Sequence, residues 1–184
     1  MTIIAGFDDG KNVVIGSDSM LSYEGSVPPI KYEGIDKIIS RKNYHIGFSN
    51  SMRIAEILEE SKILPVSLTN EKQLKKLRDE WFQILVNDWD LGVKEPSSGL
   101  IMVSSELLIA TTFGLWELGS DFSLAKAQYG AIGAGMATSL GALHLATKYK
   151  WNAEEAVRNA VECSVLHNTY CGGETKIVTI RKKK

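Results

Sequence analysis

The sequence lacks the features that stabilise small secreted proteins, span membranes or attract nucleic acid. Its 184 residues include only two cysteines, Cys163 and Cys171, which is too few for a disulfide framework and fits a reducing compartment. No apolar run approaches about 18 residues, and the first ten residues lack the basic start of a signal peptide. The formal net charge is −1, so no basic field is present. We therefore expect a cytoplasmic protein with neither nucleic acid nor a membrane as a partner.

Motifs for cofactors and metals are also weak. Gly133-Ala134-Gly135 follows a predicted strand, but Thr138 stands where the last glycine of a dinucleotide-binding loop would come. We interpret this segment as a tight turn. Cys163, His167 and Cys171 are spaced by four residues, yet a fourth metal ligand is missing and buried thiols are the simpler interpretation. The sequence predicts no cofactor and no metal.

Strands and helices occur in blocks of two along the chain. Residues 2–7 and 12–17 flank an Asp-Gly turn, which is typical of a hairpin, and residues 49–61 and 71–89 have helical periodicity. The other predicted strands are 37–40 with 43–48, 100–103 with 107–112 as a third hairpin after a loop at 92–98, then 113–118, 129–132 and 176–181, and the other helices are 136–150 and 152–167. Singly alternating elements would indicate a wound parallel sheet. The blocks instead predict antiparallel sheets with helix pairs packed outside.

The first residues carry the strongest chemical signal. If Met1 is removed, Thr2 becomes the first residue, with both a hydroxyl and a free α-amine. An α-amine has an ordinary pKa of about 8, so it can accept the hydroxyl proton near neutral pH. Such a nucleophile needs no histidine, and His45, His144 and His167 show no context for a catalytic triad.

Six short motifs accompany this threonine. They are Thr-Ile-Ile-Ala-Gly at 2–6, Val-Val-Ile-Gly-Ser-Asp-Ser at 13–19, Asp-Lys-Ile-Ile at 36–39, Ile-Gly-Phe-Ser-Asn-Ser at 46–51, Ile-Gly-Ala-Gly at 132–135 and Asn-Thr-Tyr-Cys-Gly-Gly at 168–173. Each is weak alone, but in this order they resemble, over nearly the whole chain, the Ntn hydrolases of the proteasome β-subunit and HslV peptidase type. The resemblance implies an α+β fold, a four-layer αββα sandwich of two antiparallel sheets, in a single domain over residues 1–184.

The resemblance also implies roles for individual residues. Thr2 would be the nucleophile, Lys37 would lower the pKa of its hydroxyl and amine, and Asp18 would pair with Lys37. The backbone N–H of Asn50 would donate to the oxyanion, although glycine is usual at that position.

Three supporting positions depart from the proteasome pattern. Ala134 stands in place of a serine, Asn168 in place of an aspartate and Cys171 in place of a serine. Asn and Cys can still form hydrogen bonds, and HslV-type peptidases themselves carry Cys and Thr at the corresponding places. The departures leave the mechanism possible.

The leading hypothesis is a threonine-type peptidase that cleaves peptides or unfolded protein inside a ring of identical subunits, fed by a separate ATPase unfoldase if one exists. The alternatives are a catalytically silent structural member of the same fold and a small-molecule Ntn amidase, because a fold alone does not fix an activity. Ring contacts are expected from helices 51–61 and 71–89, which carry Trp81 and Trp89.

Overall fold

The computed structural model describes residues 2–21 and 36–183 and consists of strands and helices in blocks. In chain order the strands are β1 Ile3–Asp8, β2 Asn12–Ser17, β3 Ile38–Ser40, β4 Tyr44–Phe48, β5 Val93–Lys94, β6 Ile101–Met102, β7 Leu107–Thr111, β8 Gly114–Leu118, β9 Leu124–Ala127, β10 Tyr129–Gly133 and β11 Lys176–Arg181. The helices are α1 Met52–Glu60, α2 Glu71–Phe82 with a π-helical continuation at Gln83–Asp88, α3 Met136–Tyr149 and α4 Ala153–His167. Within the described ranges, none of these helices has the length and apolarity needed to cross a membrane.

Two antiparallel sheets form the centre of the molecule. The first has four strands in the order β10-β1-β2-β11, and the second has five in the order β3-β4-β7-β8-β9. Strand β1 is therefore central in its sheet and pairs with both β10 and β2. The predicted first hairpin is confirmed, with Gly6 opposite Ile15.

Alternate side chains of the first sheet are buried in two different clusters. Ile4 and Ile15 belong to a cluster that includes the second sheet, α1 and α2, with Trp81 at its centre. Ile3 and Val14 belong to a second cluster with α3 and α4. Because neighbouring residues of a strand point to opposite faces, each sheet packs against the other sheet and against a helix pair. The predicted four-layer αββα sandwich is confirmed.

Helix α4 begins where the sequence predicts it. Asn152 accepts a hydrogen bond from the backbone N–H of Glu155 at 2.9 Å, and its amide donates to the Glu155 carboxylate at 3.3 Å. A cap of this kind stabilises a helix by about 1 kcal/mol. The cap and the apolar inner face together stabilise α4, which supports the candidate active site.

The predicted third hairpin is wrong. Strand β7 pairs with β4 and β8, whereas β6 pairs with β5, which lies in the predicted loop 92–98. All five residues of β7 are buried, so its place is between two strands of a core sheet, and that pairing depends on the rest of the fold. Strand β9 was not predicted, because Leu-Ala-Lys-Ala has weak strand propensity and lies at a sheet edge.

The second helix also differs from the prediction. It is α-helical only to Phe82, after which the backbone widens and Trp89 N–H donates to the carbonyl of Ile84, five residues earlier, at 3.0 Å. Trp81 is fully buried in its own subunit, so it cannot make the ring contacts expected of it. Trp89 is 46% exposed, with the Arg53 guanidinium 5.0 Å from its ring centre.

Candidate active site

Thr2 lies at the start of the central strand β1 and is only 4% exposed. The neighbouring strand ends beside it, where Gly133 has a φ of +92° and a Cβ at that residue would lie 2.4 Å from the Thr2 carbonyl oxygen. The N–H of Gly135 donates to the same carbonyl at 3.5 Å. The 133–135 turn therefore needs glycine at its first position, because its backbone passes directly against Thr2.

The Asp18 carboxylate accepts hydrogen bonds from four donors. Asp18 follows β2 directly and is 1% exposed. Its Oδ1 accepts from the Thr2 hydroxyl at 3.0 Å, from the Ile3 N–H at 3.0 Å and from Lys37 Nζ at 2.6 Å. Its Oδ2 accepts from the N–H of Gly172 at 3.0 Å. A buried carboxylate is costly unless it is paired and hydrogen-bonded, and both conditions hold here.

Lys37 is the cation of this cluster. It precedes β3, its side chain is 1% exposed, and Nζ also donates to the Met20 carbonyl at 2.5 Å. Burial lowers the pKa of Lys37, and the negative charge of Asp18 opposes that shift. The ammonium and the Thr2 hydroxyl bind the same carboxylate oxygen, so the positive charge lies next to the hydroxyl.

A double glycine holds the segment that follows Asp18. The Gly172 carbonyl accepts from the N–H groups of Ser19 at 3.2 Å and Met20 at 2.9 Å. Gly173 has a φ of +78°, and a Cβ there would lie 2.3 Å from Ser19 Oγ. Sequence reasoning assigned no role to Met20 or to the Gly172 N–H, because both act through backbone atoms. The paired glycines were the available signal.

Asn50 borders the small cavity at Thr2. Leu21, Phe48 and Met52 line the same cavity, together with Lys37. The φ of Asn50 is +66°, in the left-handed region, where glycine is favoured and asparagine is among the better-tolerated alternatives. Among residues 2–21 and 36–183, none accepts a hydrogen bond from the Asn50 N–H. This donor is therefore available on a residue that lines the cavity.

The three supporting positions lie in the adjoining turns. Asn168 donates through Nδ2 to the Ala134 carbonyl at 2.7 Å and accepts from the Tyr170 N–H at 2.9 Å. Cys171 is buried, and burial together with the charge of Asp18 raises the pKa of its thiol to about 12. The Asn168 side chain thus holds the backbone at Ala134 and Tyr170 by hydrogen bonds, and Cys171 contributes an uncharged thiol beside the Asp18–Lys37 ion pair.

A larger cavity lies at the other end of β1. It has a volume of about 500 Å³ and is lined by Asp8, Asp9, Gly10 and residues 126–128. In the described parts of the chain, no group of three or more His, Cys, Asp or Glu side chains is placed to hold a metal ion. The larger cavity therefore lies apart from Thr2, Asp18 and Lys37, which we call the Thr2 cluster.

The Thr2 cluster suits acyl transfer by a hydroxyl. The buried Asp18–Lys37 ion pair holds the Thr2 hydroxyl in place. Asn50, whose N–H is unused, lines the small cavity at Thr2. In the chain as written, the nitrogen of Thr2 is joined to Met1 and is an amide, which cannot act as a base. The proton acceptor appears only when the bond before Thr2 is cleaved.

Comparison with known proteins adds evidence about the fold. No protein-family model matches the chain, and no curated protein matches it. Two solved structures of BPH, a bacterial proteasome homologue, from Thiobacillus denitrificans are similar at 15% identity: one has a TM-score of 0.84 over 99% of both chains, and one in complex with epoxomicin has 0.83 over 100% of both chains. HslV from Trypanosoma brucei is similar at 16% identity, with a TM-score of 0.72 over 98% of this chain and 99% of that one. The chain therefore has the proteasome/HslV-type Ntn-hydrolase fold.

Proposed function

We propose that this chain is an N-terminal-threonine hydrolase that cleaves peptide amide bonds once the residue before Thr2 has been removed. One observation carries the proposal. The Thr2 hydroxyl and the Lys37 ammonium converge on a single buried oxygen of Asp18, and Thr2, Lys37 and Asn50 line the same cavity. The proteasome/HslV-type fold supports this assignment.

The proposed reaction has two stages. The α-amine of Thr2 takes the proton of Oγ1, which attacks the substrate carbonyl, and the Asn50 N–H donates to the oxyanion. The protonated amine then gives its proton to the leaving nitrogen as the C–N bond breaks, which leaves an ester on Thr2. In the second stage the amine accepts a proton from water, the resulting hydroxide attacks the ester, and the proton returns to Oγ1.

Lys37 and Asp18 would provide the electrostatic environment for both stages. The ammonium lowers the pKa of the neighbouring amine and hydroxyl, because their less protonated forms are favoured beside a positive charge. Asp18 keeps Lys37 charged against the burial that lowers its pKa. The cluster lies out of water, where such interactions are strongest.

The first experiment is mass spectrometry followed by assay of short fluorogenic peptides. Protein that begins at Thr2 should cleave them, and Thr2→Ala should lose at least about 10³-fold in rate, because it removes the nucleophilic hydroxyl together with the γ-methyl group. Thr2→Ser, which keeps hydroxyl and amine, is the matched control and should retain activity.

Three other outcomes decide between the hypotheses. Equal cleavage by Thr2→Ala means that the mechanism is wrong. Protein that keeps Met1 and is inert supports the silent structural member, and cleavage of simple amides but not of peptides supports the small-molecule amidase.

We also propose that the chain assembles with copies of itself into a ring that takes peptides or unfolded protein, with any ATPase unfoldase as a separate chain. Helix α3 supports assembly, since its residues 136–147 include no charged side chain and it exposes Met136, Leu145 and Tyr149. Leu166 on α4 is also exposed. Leu145 and Tyr149 are four residues apart and share a helix face, and neighbouring exposed apolar side chains of this kind mark interaction surfaces.

Sedimentation tests the assembly. The native protein should have a mass several times 20.3 kDa at micromolar concentration. Leu145→Glu should shift it toward a smaller species, because a carboxylate would be buried in the contact. Val66→Glu is the matched control, since Val66 is equally apolar and more exposed but lies outside α3 and α4. A 20.3 kDa monomer throughout would rule out the ring.

A further inference from the structure

Two buried serines join α3 to α4 underneath the 133–135 turn. Ser164 Oγ donates to the Gly135 carbonyl at 2.9 Å, and Ser139 Oγ donates to the Ala160 carbonyl at 2.8 Å. The two hydroxyl oxygens are 2.8 Å apart, and both residues are fully buried. The pair has two hydroxyl protons for three contacts, so both carbonyls are satisfied together only when neither hydroxyl donates to the other.

Gly135 connects the serine pair to Thr2. Its carbonyl accepts from the Ser164 hydroxyl and from the Ser139 N–H at 3.1 Å, and its own N–H donates to the Thr2 carbonyl at 3.5 Å. A Cβ at Gly135 would lie 2.8 Å from Ser164 Cβ and 2.9 Å from Ile3 Cβ, so the residue is packed between α4 and β1. A shift at Ser164 therefore reaches Thr2 through a single residue.

Asn168 makes the adjacent contact from the same helix end. It lies four residues after Ser164 and donates to the Ala134 carbonyl at 2.7 Å. Residues four apart share a helix face, so the end of α4 presents two donors to two successive carbonyls of the turn. Aspartate at position 168 could still accept from the Tyr170 N–H but, when ionised, could not donate to Ala134.

We propose that Ser164 is a positioning residue for the Thr2 nucleophile, acting with Asn168 by holding the 133–135 turn against Thr2. This inference rests on the proposed function. The motifs that suggested the fold give Ser164 no role, and they place an aspartate where Asn168 stands. The contacts predict that this aspartate is unfavourable here, because the turn of this chain needs a donor.

The serine pair provides its own matched control. Ser164→Ala and Ser139→Ala each remove one buried hydroxyl, and both should lower the melting temperature by a similar amount. Only Ser164→Ala removes a hydrogen bond from the Gly135 carbonyl, which keeps the Ser139 N–H as its remaining donor at 3.1 Å. We expect it to lower kcat by at least about tenfold with KM unchanged, since displacements below 1 Å at a reacting group have effects of this size. Ser139→Ala should stay within about twofold of the native kcat.

Asn168→Asp extends the test to the second carbonyl. The contacts predict a lower kcat, whereas an aspartate that served the Thr2 amine would keep or raise it. Equal kcat values for the two serine variants, a change in KM alone, or an Asn168→Asp variant as active as the native protein would each overturn the positioning role.

Hydrogen exchange separates this inference from the proposed function. Amides in the peptide covering residues 130–138 should exchange faster in Ser164→Ala than in Ser139→Ala, because only the first change removes a side-chain hydrogen bond to the turn. If Thr2→Ala cleaves as well as the native protein, or nothing cleaves, the proposed function is wrong. The exchange rates then decide whether Ser164 holds the turn, and equal rates would mean that it does not.

Discussion

The two ends of strand β1 carry the same kind of ion pair in different surroundings. At the start of the strand, Lys37 Nζ lies 2.6 Å from Asp18, and both side chains are 1% exposed or less. At its end, Lys182 Nζ lies 2.8 Å from Asp8, and the lysine and aspartate side chains are 24% and 9% exposed. The distances are nearly equal, so burial rather than geometry distinguishes the two pairs.

This difference decides what each pair can do. Water reaches the Lys182 ammonium and weakens the Asp8 pair, in which Asp8 also closes a turn by accepting from the Gly10 N–H at 2.8 Å. The Asp18 pair is out of water, so its charges act strongly on their neighbours and its loss leaves a buried charge unpaired. The larger cavity lies at the Asp8 end. Buried charge, not open volume, marks the candidate site.

The largest expected difference is between the removal of Lys37 and the removal of Lys182. Lys37→Met should abolish peptide cleavage and lower the free energy of unfolding by about 3–5 kcal/mol, because Asp18 would stay buried without its partner. Lys182→Met should cost about 0–1 kcal/mol and leave cleavage intact. Denaturant unfolding and the peptide assay measure both effects.

The double variant Asp18→Asn with Lys37→Met sharpens this result. It should recover much of the lost stability, since no buried charge remains, and it should still be inactive. If Lys37→Met and Lys182→Met lose equal stability, burial does not distinguish the two pairs.

Substitutions of the two aspartates should differ less in their effect on cleavage than substitutions of the two lysines. Asp18→Asn should weaken cleavage by about 10–100-fold without removing it, because Lys37 keeps its charge but loses the partner that orients it. Its new amide N–H groups would also face the Gly172 N–H. Asp8→Asn, at the other end, should leave the rate within about twofold. Rates for the two variants at one pH make the comparison, and equal losses would contradict it.

The smallest expected effect is an added hydroxyl. Ala134→Ser should leave cleavage unchanged or raise it by a few fold, because a hydroxyl near Thr2 offers one more hydrogen-bonding group. Ala127→Ser, in the wall of the larger cavity, is the matched control and should change nothing. A loss of activity in Ala134→Ser alone would show that the turn has no room for the extra oxygen.

Elements built from local contacts were predictable from the sequence, and long-range pairings were not. The Asp-Gly turn predicted the β1–β2 hairpin, and Asn152 predicted the start of α4. Strand β7 lies beside β4, with Ile109 opposite Ile46, and no pattern near residue 109 indicates that partner. Helical periodicity also cannot separate an α-helix from the π-helical turn that follows Phe82.

The same division applies to the candidate site. Thr2, Asp18 and Lys37 were predicted through the resemblance, and the structure brings them together. The roles of Ser139 and Ser164 were not predicted, because a serine in a helix has no special local pattern until the partner helix is placed beside it. Contacts through backbone atoms leave even less trace in the sequence.

The hydrogen bond from Gly172 to Asp18 joins residues that are 154 positions apart. Strand β11, which follows Gly172, must also reach β2 before the first sheet is complete. During synthesis the Asp18 carboxylate therefore lacks its Gly172 donor until residue 172 has left the ribosome. The order of synthesis thus leaves the hydrogen bonds of Asp18 incomplete until residue 172 has been made, although its other three donors come from the first 37 residues.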